Sequence, residues 1–244
     1  MPLDNLLGVA LVTGLIGIAI LVVLWPNERH GERLLRRWGV ADPSGADVTT
    51  AVTYLRRRRF WYPWLFLGIP VITGALGGLD DERRSTGWAV LATLLLGALI
   101  AELLALRPSR QPRREAMLAA RGIGDLVPGW GIALAAVASA AILGRLAVEA
   151  QWAATAWAGG IVLAALAVAA LAVRRPASGR VEVDLALRAR SARVAVGLGP
   201  TVAALVPGSI TATWTWWVGL TAGVLALVAL LTLTGGRRAP AAAR

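Results

Sequence analysis

Apolar runs of about 20 residues, the length at which a helix rising 1.5 Å per residue crosses a 30 Å hydrocarbon core, recur seven times along the chain. They cover 6–25, 60–79, 87–106, 128–148, 152–173, 194–210 and 214–234. This pattern predicts an all-α, polytopic membrane bundle of seven helices forming a single transmembrane domain over 1–244. The sixth run is short and interrupted by Gly197, Gly199, Pro200, Pro207 and Gly208, and reads as a kinked span or a re-entrant hairpin, the span being favoured because it keeps Arg237, Arg238 and Arg244 on the same side as the other basic segments.

Polar residues between the runs fall unevenly. Eight Arg occupy 26–59, five occupy 107–127, six occupy 174–193 and three follow Thr234, together 22 of the chain's 25 basic residues. Short cytoplasmic loops carry such an excess, so these three segments read as basic inner loops. The N-terminus is then outside and the C-terminus cytoplasmic, in the plasma (inner) membrane. The first run has no basic residue before it and is too long for a cleaved leader, so it reads as a retained N-out anchor. Ten of the eleven Trp fall at or within about a turn of proposed helix ends, where indoles favour the membrane interface. The eleventh, Trp38, joins Leu34 and Leu35 in an apolar stripe beside Arg33, Arg36 and Arg37, which reads as a short helix lying on the inner leaflet.

Composition fits this picture, with 57% hydrophobic residues and 16% charged ones. It also removes chemistry. The chain has no Cys, every basic residue is Arg, and His30 is the single His. Thiol chemistry, Cys-ligated metals, a Schiff-base lysine, a P-loop lysine and bis-His haem ligation are excluded within the chain. No cofactor and no metal site is expected. Exclusive use of Arg matches a GC-rich bacterial genome, and each guanidinium also suits lipid phosphate. The run Arg56, Arg57, Arg58 and Arg59 abuts Phe60, Trp61 and Tyr62. With Arg33, Arg36 and Arg37, it reads as a set of contacts to anionic lipid headgroups rather than to nucleic acid.

Ionisable groups at membrane depth are the default functional candidates. Glu102 lies five residues before Arg107, close enough to the inner interface to be satisfied by an Arg or by water. Arg145 and Glu149 form an i, i+4 pair able to satisfy itself near the outer face. Pro200 and Pro207 mark the sixth span as a bent helix of the kind that lines transporter sites. Small residues four apart recur at Ala10/Gly14, Ala156/Gly160/Ala164 and Gly219/Gly223, a pattern of close helix packing or of an oligomer face. Asp47, Arg56, Pro63 and Pro70 recur at an offset of 137 as Asp184, Arg193, Pro200 and Pro207, although four matches in so biased a composition carry little weight. The expected function is a non-catalytic accessory or self-associating membrane component that docks partners through its Arg-rich inner loops. The alternative is a small permease or permease subunit using the broken sixth helix.

Overall fold

The computed structural model describes residues 3–23, 25–75, 86–105, 122–174, 180–206 and 213–235, and among them the chain is helical with no strand. Ten helices follow one another: α1 (Leu3–Val23), α2 (Glu28–Arg37), α3 (Gly45–Phe60), α4 (Tyr62–Ala75), α5 (Thr86–Ala105), α6 (Ile123–Leu126), α7 (Gly129–Val148), α8 (Trp152–Arg174), α9 (Val181–Ala203) and α10 (Thr213–Thr234). Six of the seven apolar runs each coincide with one of the longer helices, and the sixth, 194–210, overlaps only the C-terminal half of α9. By length and apolarity, α7, α8 and α10 can cross a membrane, and the count reaches four if α1 and α2, bent by 95°, are taken as one broken span. The outside of these helices is apolar, with Leu11, Leu15, Leu163, Leu227 and Leu231 exposed. The interior holds charge, since Glu102, Asp184 and Arg188 are buried. Water does not favour that distribution, whereas hydrocarbon does.

Local sequence sets where the short helices begin. Asn27 caps α2 by accepting from the His30 N–H at 3.2 Å, and His30 Nδ1 sits 2.6 Å from Asn27 Oδ1. The one His of the chain is thus part of a capping box. Ser44 caps α3 reciprocally with Asp47, whose Oδ2 accepts from the Ser44 N–H at 2.9 Å and from its hydroxyl at 2.8 Å. The α3–α4 line breaks at Trp61, two residues before Pro63, which cannot donate to the Arg59 carbonyl.

Helix α9 is the axis of the fold. It is buried along nearly its whole length and packs against α5, α7, α8 and α10, while α1 lies along α4. Close approach depends on absent side chains. A Cβ on Gly17 would stand 2.7 Å from Pro63 Cα, and one on Gly197 would stand 2.7 Å from Leu230 Cα. Between the α4–α5 side and α8 an apolar groove of about 620 Å³ remains open, lined by Ile69, Leu99, Leu103, Trp157, Gly160 and Val168 among others.

Two expectations change here. The segment 174–193 is not a loop throughout, because from Val181 it is the first half of α9, with Val183, Leu187 and even Arg188 buried. The amphipathic stripe on α2 does not lie outward, because Leu35 and Trp38 are turned into the protein, Trp38 beneath the Arg193 guanidinium at 5.3 Å. Pro207, residues 80–84 and most of loop 107–127 lie outside the described residues.

Candidate functional site

The residue at the centre of the polar interior is Glu102, near the C-terminal end of α5 and fully buried. Four side chains from two other helices converge on it. From α3, the Tyr54 hydroxyl donates to Oε1, and Arg58 Nε stands 2.9 Å from Oε2. From α9, the Ser191 hydroxyl donates to Oε1 at 2.6 Å, and Arg190 Nη1 lies 3.8 Å from Oε2. The contacts at Oε2 are charge contacts, with no N–H aimed straight at the oxygen. Arg190 also donates to the Tyr54 hydroxyl, and Arg58 lies over the Tyr62 ring at 5.8 Å. Burial first of all, against the opposing pull of Arg190, pushes the Tyr54 hydroxyl up to about 12, so it stays a donor.

Such a cluster does two things physically. It satisfies a carboxylate that would be costly to bury alone, and it fastens α3 and α9 to α5 at one level of the bundle. Among the described residues there is no group of three His, Asp or Glu able to hold a metal ion.

A second polar line continues along α9. Arg188 Nε stands 2.6 Å from Asp184 Oδ2, and its Nη1 donates to the Val173 carbonyl at 2.9 Å, near the end of α8. Arg193 donates to the Leu126 carbonyl at 2.9 Å. Arg180, just before α9, pairs with Asp47 at 2.9 Å. Burial acts to raise the Asp47 carboxyl, but the Ser44 hydrogen bonds and Arg180 outweigh it and hold the carboxyl below its ordinary 3.8. Stability from this group is therefore fully present above the ordinary value and is lost as the pH falls through the depressed one. Thermal melts are expected to show that loss in the wild type, whereas Asp47→Asn shows a flatter pH profile and a modest constant cost of about 1 kcal/mol. A variant profile that parallels the wild type would remove Asp47 as the titrating group.

The other sequence candidates fall as follows. Arg145 and Glu149 do pair, at 3.7 Å, away from the Glu102 cluster. Gln151 Nε2 donates to Glu149 at 2.7 Å. Gly219 of α10 makes room for Arg145, since a Cβ there would be 3.3 Å from Arg145 Cδ. Pro200 lies inside a continuous, buried α9, and Gly199 is filled by Ala165, whose Cβ would lie 2.7 Å from one added there. Around Arg145 and Pro200 the helices are closely packed. Arg33, Arg36 and Arg56 are exposed; Arg36 pairs with Glu32 at 2.8 Å, and Arg56 lies over Trp25 at 5.7 Å. Arg37, also exposed, donates to the Thr234 and Gly235 carbonyls. Arg57 and Arg59 are half-buried. Arg58, expected as a headgroup contact, instead turns inward to Glu102, because α3 packs against α5 and a buried carboxylate there needs a cation.

Tyr54, Arg188, Arg190 and Ser191 are not singled out in the sequence reading, and Asp184 enters it only through the recurrence at an offset of 137. The i, i+4 spacing of Tyr54 to Arg58 and of Asp184 to Arg188 was the available signal. The architecture is that of an all-helical protein with several helices apolar enough to cross a membrane. No family model, curated protein or solved structure matches the chain.

Proposed function

We propose that the protein is a non-catalytic component of the bacterial plasma membrane with seven spans, N-terminus outside and C-terminus inside, whose basic inner face docks an acidic cytoplasmic protein. The observation behind this reading is the α2–α3 platform. Tyr54 and Arg58 fasten it to the bundle through Glu102, while Arg33, Arg36 and Arg56 remain outward on its surface. A rigidly held set of exposed guanidiniums suits recognition of carboxylates at an interface.

Two measurements test it. Because the chain has no Cys, single cysteines at Arg83 and Arg113 report topology cleanly. In intact cells an impermeant maleimide is expected to label position 83 and not position 113, and the reverse would overturn the orientation. Purified under mild conditions, the wild type is expected to carry a stoichiometric partner that the charge reversals Arg33→Glu and Arg36→Glu together release. A bare monomer in both preparations would remove the docking reading.

A further inference from the structure

The groove between α4, α5 and α8, and Arg59 at the end of α3, are used by neither the docking reading nor the Glu102 network. On α8 the lining runs from Ala153 to Val168, a length of about 22 Å at 1.5 Å per residue. Ala156, Gly160 and Ala164 form its floor on α8, so this small-residue stripe lines a groove instead of seating a neighbouring helix. Nothing lies within 4 Å of a Cβ built on Gly160. The lining is apolar throughout, with Ile69 and Ile72 from α4 and Leu96, Leu99, Ile100 and Leu103 from α5. An empty slot of this size at membrane depth forfeits the dispersion contacts that a packed interior keeps, and the molecule that can enter it sideways is an acyl chain.

One end of the groove is marked by charge. Leu99 and Leu103 flank Glu102 on α5, and Tyr62, two helical turns before Ile69 on α4, lies under Arg58. Glu102 holds two guanidiniums, Arg58 and Arg190, and Arg59, next to Arg58 at the end of α3, feels the charge of both. Arg58 and Arg190 are taken up by Glu102 and Tyr54. Arg59 Nη1 is buried with no hydrogen-bond partner among the described residues. Burial, with Arg58 and Arg190 nearby and against Tyr62, holds Arg59 below its ordinary value, the condition that a bound anion relieves.

We infer that the protein holds one anionic phospholipid, its phosphate on Arg59 at the edge of the arginine cluster and an acyl chain in the groove along Leu103, Gly160 and Trp157. The apolar slot supplies affinity for any diacyl lipid, and Arg59 supplies the preference for a negative headgroup.

The test uses the full chain in detergent after delipidation, with dioleoyl phosphatidylglycerol, dioleoyl phosphatidylcholine or inorganic phosphate added, followed by native mass spectrometry. The wild type is expected to take one phosphatidylglycerol at roughly tenfold lower concentration than phosphatidylcholine, a factor of ten being 1.4 kcal/mol. Arg59→Gln is expected to erase that preference while leaving chain binding. Gly160→Leu, which adds its side chain into open space, is expected to abolish both adducts. An acyl-brominated phosphatidylglycerol is expected to quench a fluorescence component that Trp157→Phe lacks, which tests the groove without filling it. Equal binding of the two lipids by the wild type, or a preference that survives Arg59→Gln, overturns the headgroup assignment. Adducts that persist in Gly160→Leu, or quenching unchanged by Trp157→Phe, overturn the groove. Stabilisation by inorganic phosphate equal to that by phosphatidylglycerol would make this a free-anion site and remove the lipid.

Discussion

Glu102→Ala is expected to be the most damaging single substitution in the chain, costing about 3–5 kcal/mol, the range for removing one partner of a buried ion pair. The carboxylate is fully buried, and its loss leaves Arg58 and Arg190 facing each other across a site that no longer holds an anion. Tyr54 and Ser191 lose the acceptor they share at Oε1. Glu102→Gln is expected to fall between, because an amide oxygen still accepts from both hydroxyls while the charge is gone. The triple variant Glu102→Leu, Arg58→Met, Arg190→Leu is expected to recover much of the stability, since a buried charge cluster can be replaced by apolar side chains of similar volume. Thermal unfolding in detergent, followed by the monodisperse fraction, measures all three. Because α3 is held to the bundle here, Glu102→Ala is also expected to open segment 26–59 to protease before the rest of the chain. An alanine variant that melts with the wild type and resists protease equally would show that the cluster is not what fastens the platform.

What could be read in advance, and what could not, divides along sequence separation. Six of the seven apolar windows coincide with a helix, because a hydrophobic run of span length is a local property and hydrogen-bonding within one segment suffices to satisfy its backbone. The Arg145–Glu149 pair was legible for the same reason, lying one turn apart. Helix α9 was cut short because five charged residues between Glu182 and Arg193 lower the local hydropathy, and hydropathy does not register that Asp184 and Arg188 neutralise each other on one face. Glu102 was identified, but its partners lie 48 and 89 residues away and only folding brings them together. Tyr54 and Ser191 stand 3.3 Å apart across 137 residues of chain, a contact that no local pattern announces. The arithmetic of arginines suffers the reverse error. Counted as charge, Arg58, Arg188, Arg190 and Arg193 all read as inner-face cations, yet each is committed to a carboxylate, a carbonyl or a ring within the fold.

Arg188→Ala is expected to be the second large loss, about 3 kcal/mol, at the lower end for a broken buried pair. Both side chains are buried, at 2% for Arg188 and 6% for Asp184, and their closest atoms are 2.6 Å apart. The guanidinium also serves the Val173 carbonyl, one of the last four of α8, which has no acceptor role left within its own helix. Deleting it strands that carbonyl and removes the cation from Asp184, which keeps another interaction and so limits the cost. Arg188→Lys retains the charge, but one ammonium replaces a planar fork that reaches Asp184 and Val173 together, so an intermediate loss is expected. Asp184→Leu with Arg188→Met is expected to be less harmful than Arg188→Ala alone, the signature of an uncompensated charge as opposed to lost packing. A double-mutant cycle on melting free energies in detergent reads the coupling directly. If the two single losses simply add, the pair is not coupled, and the stability of the α8–α9 contact rests on its apolar residues.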